Sequence, residues 1–576
     1  MLAANRTRTI AWVLAIAVLL SANGIAQDVD YLDDPPEAPL PEEAASSPIS
    51  EAANELADQD EPVALDLDEA IQIALTENRE LQSTRLDVRE ANLQVTEARG
   101  AVFPQVELSS NLNRNLRTAN PFAGTDFGTG GADLFGPTEW LAFNEQARLV
   151  PGEPEPIPLS EFEQRQQEGL REAGIDPSDG ANPFVTPNQF DGGVTVSQTL
   201  YNASAFAAMR GAQRLRSISE RGVEREERVL IHEVREAYYA ALLAQDGVRV
   251  TEQAVERTER SVDDATRLVA RGVAPITQQL GSEVELANLE TELVEAQNQA
   301  ELALDNLKNI MGIPVDTPIE LSGSLERLAG DLDYERVDAD LGFDRIGTGD
   351  AVPPDAVEEA LQHRTDYEQA QLAIELNEID RDITSGSLRP IVSAFADFGY
   401  TGQVPDNRAQ SVQPDETDPF TFEERERGFF DGDFWESSIS VGLSLQWNIF
   451  DGMQSRSEVA QRDVEVRQAE IDKEQLERGI RLEVQQALKT LQAAERRIIS
   501  QERNLENAEV NYDHVQARLR EGTARPIEER EASNQLDQSR LNHLQAVHDY
   551  VVALSELETA LGRPIDSLED LHFARR

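Results

Sequence analysis

The sequence predicts an α+β membrane protein built as a tandem internal repeat, with very long helices and a few strands of membrane height. Three observations predict it. The same order of motifs occurs twice along 576 residues. Each copy contains a proline-free stretch with a seven-residue apolar period, the pattern of a long packed helix. Each copy also contains stretches of strict apolar–polar alternation, the pattern of a strand with two unlike faces.

The N-terminus reads "MLAANRTRTIAWVLAIAVLLSANGIAQ". Arg6 and Arg8 precede a short apolar run from Ile10 to Leu20. Gly24 and Ala26 supply small residues before a cleavage point at Gln27. This is the pattern of a bacterial secretory signal over 1–26. A membrane anchor is the alternative, but the run falls short of the ~20 residues that span a bilayer. Residues 27–65 are rich in Pro, Asp, Glu, Ala and Ser, which predicts a flexible acidic segment unable to bury a core.

The repeat then begins. "AIQIALTENREL" from Ala70 corresponds to "AVEEALQHRTDY" from Ala356, and Pro104 of "VFPQVELSSNLN" to Pro390 of "LRPIVSAFADFGY", both at an offset of 286. "SQTLYN" (197–202) corresponds to "LQWNIFD" (445–451), with Tyr201 against Phe450. Gly272 of "LVARGVAPI" corresponds to Gly522 of "LREGTARPI", and "NIMGIPVD" (309–316) to "TALGRPID" (559–566), at an offset of 250. The first copy therefore carries the longer loop between its two strands. The expected organisation is repeat one over 66–317, a linker over 318–355, repeat two over 356–565 and a tail over 566–576. An internal repeat is read before any local element, because it sets the architecture.

Long helices are expected from Ala203 to Arg271 and from Met453 to Glu521. At 1.5 Å per residue each is about 100 Å long. Val234, Ala241, Val248, Val255, Val262 and Val269 recur every seven residues, as do Val484, Leu491, Ile498, Leu505, Tyr512 and Leu519. Small residues follow three positions later: Ala237, Ala244, Thr251, Thr258 and Ala265, then Ala487, Ala494 and Ala508, with Gln501 between. This is a coiled-coil seam that allows close approach of a neighbour. A simple coiled-coil rod would show the same seam.

The strands argue against a rod. "SSISVGLSLQWNIF" places Ile439, Val441, Leu443, Leu445, Trp447 and Ile449 on one face and Ser438, Ser440, Gly442, Ser444, Gln446 and Asn448 on the other. Trp435 and Phe450 lie near its ends. Stretches 103–113, 192–201 and 389–400 complete a set of four. Nine to eleven alternating residues with flanking aromatics is the pattern of an outer-membrane barrel strand. Four strands cannot close a barrel, and an open edge in lipid leaves backbone groups unpaired, so if these strands cross a membrane several chains must share one barrel. The segments 117–190 and 403–435, rich in Gly, Pro and Asp, are expected as extracellular loops.

Taken together, the doubled order, the "FP" and "RP" strand entries, the "SQTLYN" and "WNIFDG" strand exits and the glycine-broken helix ends resemble the TolC-like outer membrane factors, also called outer membrane efflux proteins. The resemblance runs from about Leu65 to Ile565. It implies a homotrimer with a 12-stranded transmembrane β-barrel continuous with a long periplasmic α-helical barrel, resident in the bacterial outer membrane. It implies docking through a periplasmic adaptor protein onto an inner-membrane transporter, and passive conduction in a tripartite efflux system. The outer membrane exit of a type I protein secretion system uses the same fold and remains the alternative in class. A non-pore periplasmic coiled-coil structural protein is the alternative in kind.

The resemblance also implies roles for residues at the breaks. Arg271, Gly272 and Val273, with Glu521, Gly522 and Thr523, take the place of adaptor-docking helix tips. Turn chemistry alone also explains these glycines, which allow φ > 0 at a helix end. Glu528 and Glu531 share one helical face and take the place of an acidic ring at the periplasmic entrance. The alternative is an ordinary Glu-rich first turn favoured by the helix dipole. The sequence departs from relatives at Gln278, where a carboxylate can stand, and at Leu519 and Ala524, where some place polar gate-closing residues.

Composition excludes much else. Net charge is −57 and only Lys308, Lys473 and Lys489 are lysines, a balance that repels nucleic acid. Cysteine is absent, which removes disulfides and thiol chemistry. Six scattered histidines, with His543 and His548 five apart, make no metal motif. "GTGG" (128–131) suits a flexible loop. No Ser/His/Asp set is recognisable, so neither catalysis nor a cofactor is expected.

Overall fold

The computed structural model describes residues 63–116, 137–149, 155–175, 187–331, 354–406, 408–415 and 418–564. The expected signal segment, most of the acidic segment, residues 332–353 of the linker, the tail and the "GTGG" stretch lie outside them. The chain divides into two units: one holds Ala101–Asn202 and Arg389–Ile449, and the other holds the rest of the described chain.

The elements run as follows. Strand β1 (Val63–Leu65) leads into α1 (Leu67–Glu77) and α2 (Arg79–Gly100), then β2 (Gln105–Arg114). Helices α3 (Thr138–Leu149) and α4 (Leu159–Glu172) precede β3 (Asn188–Tyr201). Next come α5 (Ala203–Ala270), α6 (Ile276–Met311), β4 (Ile319–Leu321) and α7 (Leu325–Asp331). The second half begins with α8 (Pro354–His363) and α9 (Thr365–Gly386), then β5 (Ile391–Val404). A short hairpin, β6 (Ala409–Val412) and β7 (Glu423–Glu426), precedes β8 (Trp435–Gln446), α10 (Gln454–Arg520) and α11 (Pro526–Leu561). Helices α5 and α10 have 68 and 67 residues, and α6 and α11 have 36 each.

In the helical unit α5 packs on α6, α9, α2 and α11, and α10 packs on α11 and α9. The predicted seams are buried at Val234, Ala237, Ala241, Thr251 and Ala265 in α5, and at Val484, Ala487, Leu491, Ala494, Ile498 and Ala508 in α10. Val255, Val262, Val269, Leu505, Tyr512 and Leu519 are only half-buried, so the packing loosens toward the helix ends. The core proper lies midway along the long helices, where Leu81, Leu307, Met311, Leu325, Tyr550 and Leu554 join the seam residues. Parallel pairing of β1 with β4 belongs to this core. Thus Val63–Leu65, the last residues of the segment expected to be flexible, are ordered as a strand. Asp66 then starts α1 by a reciprocal cap with Glu69, the backbone N–H of Glu69 donating to Asp66 at 2.8 Å.

The other unit is a four-stranded antiparallel sheet in the order β2-β3-β5-β8. Its faces differ as the alternation predicts. Val106, Leu108, Leu112, Ile439, Val441, Leu443 and Leu445 form an exposed apolar face on the outer strands. Tyr400 stacks on Trp435 at 5.3 Å, with Phe190, Phe429 and Phe430 around the same ring. Gly402 allows this, because a Cβ there would meet the Trp435 ring at 2.6 Å. Trp447 lies beyond the end of β8, which stops at Gln446 rather than running to Phe450.

The inter-strand segments differ from the loops expected. The first contains α3 and α4, and the second contains the β6–β7 hairpin. Phe143, Phe162 and Phe420 meet at ring separations of 5.2–5.6 Å. Asn144 also binds both backbone groups of Ile157 at 2.9 Å. These few apolar and amide contacts order short helices whose signal the surrounding Gly and Pro dilute.

Candidate functional site

Both long helices end in the same turn. Gly272 and Gly522 take φ of +72° and +73°. The Gly272 N–H donates to Val269 O, and the Val273 N–H to Leu268 O. Gly522 and Thr523 repeat this with Leu519 O and Arg518 O at 2.9 and 2.8 Å. This pair of hydrogen bonds around a left-handed glycine satisfies two of the last carbonyls of each helix. The turn residues Arg271, Gly272, Val273, Glu521, Gly522 and Thr523 are all exposed. A Cβ at either glycine would meet open space, so the glycine is demanded by φ alone.

The next helices start differently. Pro275 is the N-cap of α6, whereas Arg525 is the N-cap of α11 and Pro526 its first residue. Gln278 and Glu528 both stand at the third helical position. Proline has no N–H, so Gln278 has no donor at its N-cap. Glu528 has one, and its Oε1 accepts the Arg525 N–H at 3.3 Å. Its Oε2 accepts from Arg518 at 3.3 Å. Arg518 thus ties the end of α10 to the start of α11. Glu531 is exposed one turn further along. The two expected entrance carboxylates are therefore unequal: one is engaged in capping and an ion pair, the other faces outward.

Beside these helix starts lies a polar cavity of about 370 Å³. Thr277, Gln278 and Ser282 of α6 line it together with Arg525, Glu529 and Arg530. Glu528 and Glu531 are not among its walls. The six turn residues are not either. In the cavity wall, Arg257 of α5 pairs with Asp537 of α11 and donates to Ser533 Oγ at 3.4 Å. Burial pushes the Asp537 and Glu529 carboxyls up, against the pull of Arg257. Burial likewise raises the Tyr512 phenol, with Glu529 adding to the effect. Arg540 continues the network to Gln253 and Glu509 at 3.0 and 3.6 Å. This charged set under the turns was not found from sequence. Nothing local marks it, because its members come from three helices, α5, α10 and α11.

No group of metal-ligating side chains occurs among the described residues. No helix among them is long and apolar enough to cross a membrane, a test that does not bear on strands.

The chain matches the model of the outer membrane efflux protein family over residues 179–313 and 356–563, more than half of its length. No curated protein matches it in sequence. Among solved structures it is similar to CusC, described with its transmembrane channel formation, at 14 % identity and a TM-score of 0.59, covering 88 % of this chain and 96 % of that one. It is similar to the Campylobacter jejuni CmeC outer membrane channel at 14 % identity and a TM-score of 0.61, covering 86 % and 85 %. The outer membrane protein VceC of Vibrio cholerae gives 13 % identity and a TM-score of 0.58, covering 87 % and 96 %. At these identities the likeness establishes a shared fold.

Proposed function

Because the chain belongs to the outer membrane efflux protein family, we propose that it is the outer membrane duct of a tripartite efflux system. Proteins of this family are channels and not enzymes, and they lie in the outer membrane and extend into the periplasm. Three copies would close a 12-stranded barrel from their four-stranded sheets, and their helices would form the periplasmic tunnel. The tandem organisation, 66–317 and 356–565, supplies two strands and one long helical hairpin from each half.

One observation carries this reading. Among the described residues the sheet has two outer strands, β2 and β8, each paired along one edge only and each with an exposed apolar face. Unpaired edges in lipid are unfavourable, so the sheet needs another copy on either side. A rod without a pore has no use for such a surface. Conduction is passive, and an inner-membrane transporter supplies the energy through a periplasmic adaptor.

The exposed turns Arg271–Val273 and Glu521–Thr523 are the proposed adaptor contacts. Glu528 and Glu531 are the proposed entrance carboxylates, with Glu531 the freer of the two. Fractionation tests the reading: heat-modifiable trimers in the outer membrane are expected, whereas a soluble periplasmic monomer would overturn it.

A further inference from the structure

The register of the four-stranded sheet aligns charges that are far apart in sequence. Glu107 faces Thr195, Thr195 faces Asp397, and Asp397 faces Ser440, one residue from each strand in a single row. Four residues along, Asn111, Asp191, Thr401 and Glu436 form a second such row. All eight lie on the polar face, opposite Val106, Leu108, Ile439 and Val441. Between the rows stand only Ser109, Gly193, Gly399 and Ser438. No Lys, Arg or His occurs on the polar face of the four strands, whose one basic residue, Arg114, lies on the other parity at the end of β2.

We infer that these two rows make the barrel lumen cation-selective, and that Glu107, Asp397, Asp191 and Glu436 are its specificity-determining residues. The inference rests on the channel reading above, in which the polar face lines the lumen. Each row would then recur in every protomer and ring the pore at one height. The rows lie about 13 Å apart, at roughly 3.3 Å per residue. Within a row the carboxylates are separated by an intervening strand, so they act as a fixed field and not as a set of metal ligands. A like-signed wall with no compensating cation favours counter-ions in a narrow aqueous path. Asp397 is the best fixed of the four. Thr195 Oγ1 donates to one of its oxygens at 2.8 Å and Ser440 Oγ to the other at 3.1 Å. Glu528 belongs to the other unit, and its charge is offset locally by Arg518.

Planar-bilayer recording of the full-length trimer under a KCl gradient tests this. The wild type is expected to show a cation-directed reversal potential that shrinks between 0.1 and 1 M salt, because the screening length falls from about 10 Å to about 3 Å. Glu107→Gln with Asp397→Asn should move the potential toward zero. Asp191→Asn with Glu436→Gln should do the same independently, which covers the case in which one pair fails to assemble. Ser440→Ala, which loosens Asp397 but keeps its charge, should leave it in place. Conducting trimers whose reversal potential is unchanged in both pairs overturn the inference alone. Selectivity abolished only by Glu528→Gln with Glu531→Gln also overturns it, by placing the filter at the helix ends. Absence of any conductance from wild-type trimers overturns the channel reading itself.

Discussion

Glu528 accepts the backbone N–H of Arg525 at 3.3 Å, closing the first turn of α11 on itself. The corresponding position in the other copy cannot do this, since Pro275 has no N–H to offer Gln278. The one-residue shift of the proline between "GVAP" and "GTARP" thus decides whether a carboxylate is useful at the third helical position.

Removing that cap should be measurable. Glu528→Ala should destabilise the start of α11 by about 1 kcal/mol, read as faster amide exchange in its first turn. Glu528→Gln should retain most of the protection, because glutamine also closes such a cap. Gln278→Glu should bring no capping protection in α6, only the gain of about 0.3–1 kcal/mol that a carboxylate draws from the helix dipole. Equal effects at 278 and 528 would show that the proline position is irrelevant.

The left-handed glycines divide into two kinds. Gly272 and Gly522 face open space, so alanine there incurs only the cost of positive φ, about 1–2 kcal/mol. Gly312 has φ +82° and also lies against Glu77, whose carbonyl oxygen would be 2.6 Å from an added Cβ. Gly312→Ala should therefore lower the thermal midpoint more than either turn variant. The reverse order would mean that the turns, not the helix ends in the core, limit stability.

The coarse architecture was legible because it is periodic. A proline-free stretch carrying a seven-residue seam and ended by a glycine marks α5 and α10 to within one or two residues, and strict alternation at Ile439–Leu445 separates the two faces of β8. Nonperiodic features were not legible. Whether Glu528 is free depends on Arg518, which reaches it only after the chain has turned at Gly522. Arg257 and Asp537 meet only because α5 and α11 lie side by side. The acidic rows of the sheet likewise required register: Glu107 and Asp397 become level only through Thr195. Helices α3 and α4 escaped because the contacts that order them come from Ile157 and Phe420, outside either helix.

The Arg257–Asp537 pair is largely enclosed, with both side chains about 16 % exposed. Arg257→Met would leave Asp537 without its counter-charge, and should cost about 3 kcal/mol. Asp537→Leu in the same chain should recover most of that loss, since an apolar pair of similar volume is tolerated where a lone charge is not. A double-mutant cycle by chemical denaturation measures the coupling. Additive losses would show that the two residues act independently.

Protonation acts in opposite directions at two carboxyls of the helical unit. Burial raises Glu529 above its ordinary value of 4.5, so its folded form holds a proton that the unfolded chain has released. Its contribution to stability is complete below that value and is lost as pH rises through the folded pKa. Asp366 behaves oppositely. Burial works to raise it, but the Arg364 guanidinium, at 2.7 Å, and the Tyr367 N–H together hold it below its ordinary 3.8. Its contribution is present above that value and lost as pH falls through the folded pKa. Glu529→Gln should therefore raise the thermal midpoint at neutral pH and flatten its decline from mildly acidic to neutral conditions. Asp366→Asn should lower the midpoint at neutral pH, and the difference from wild type should close in strong acid. Thermal denaturation of both variants from about pH 1 to pH 8 separates the two. A Glu529→Gln curve parallel to wild type would show that this carboxyl does not take up its proton within the fold.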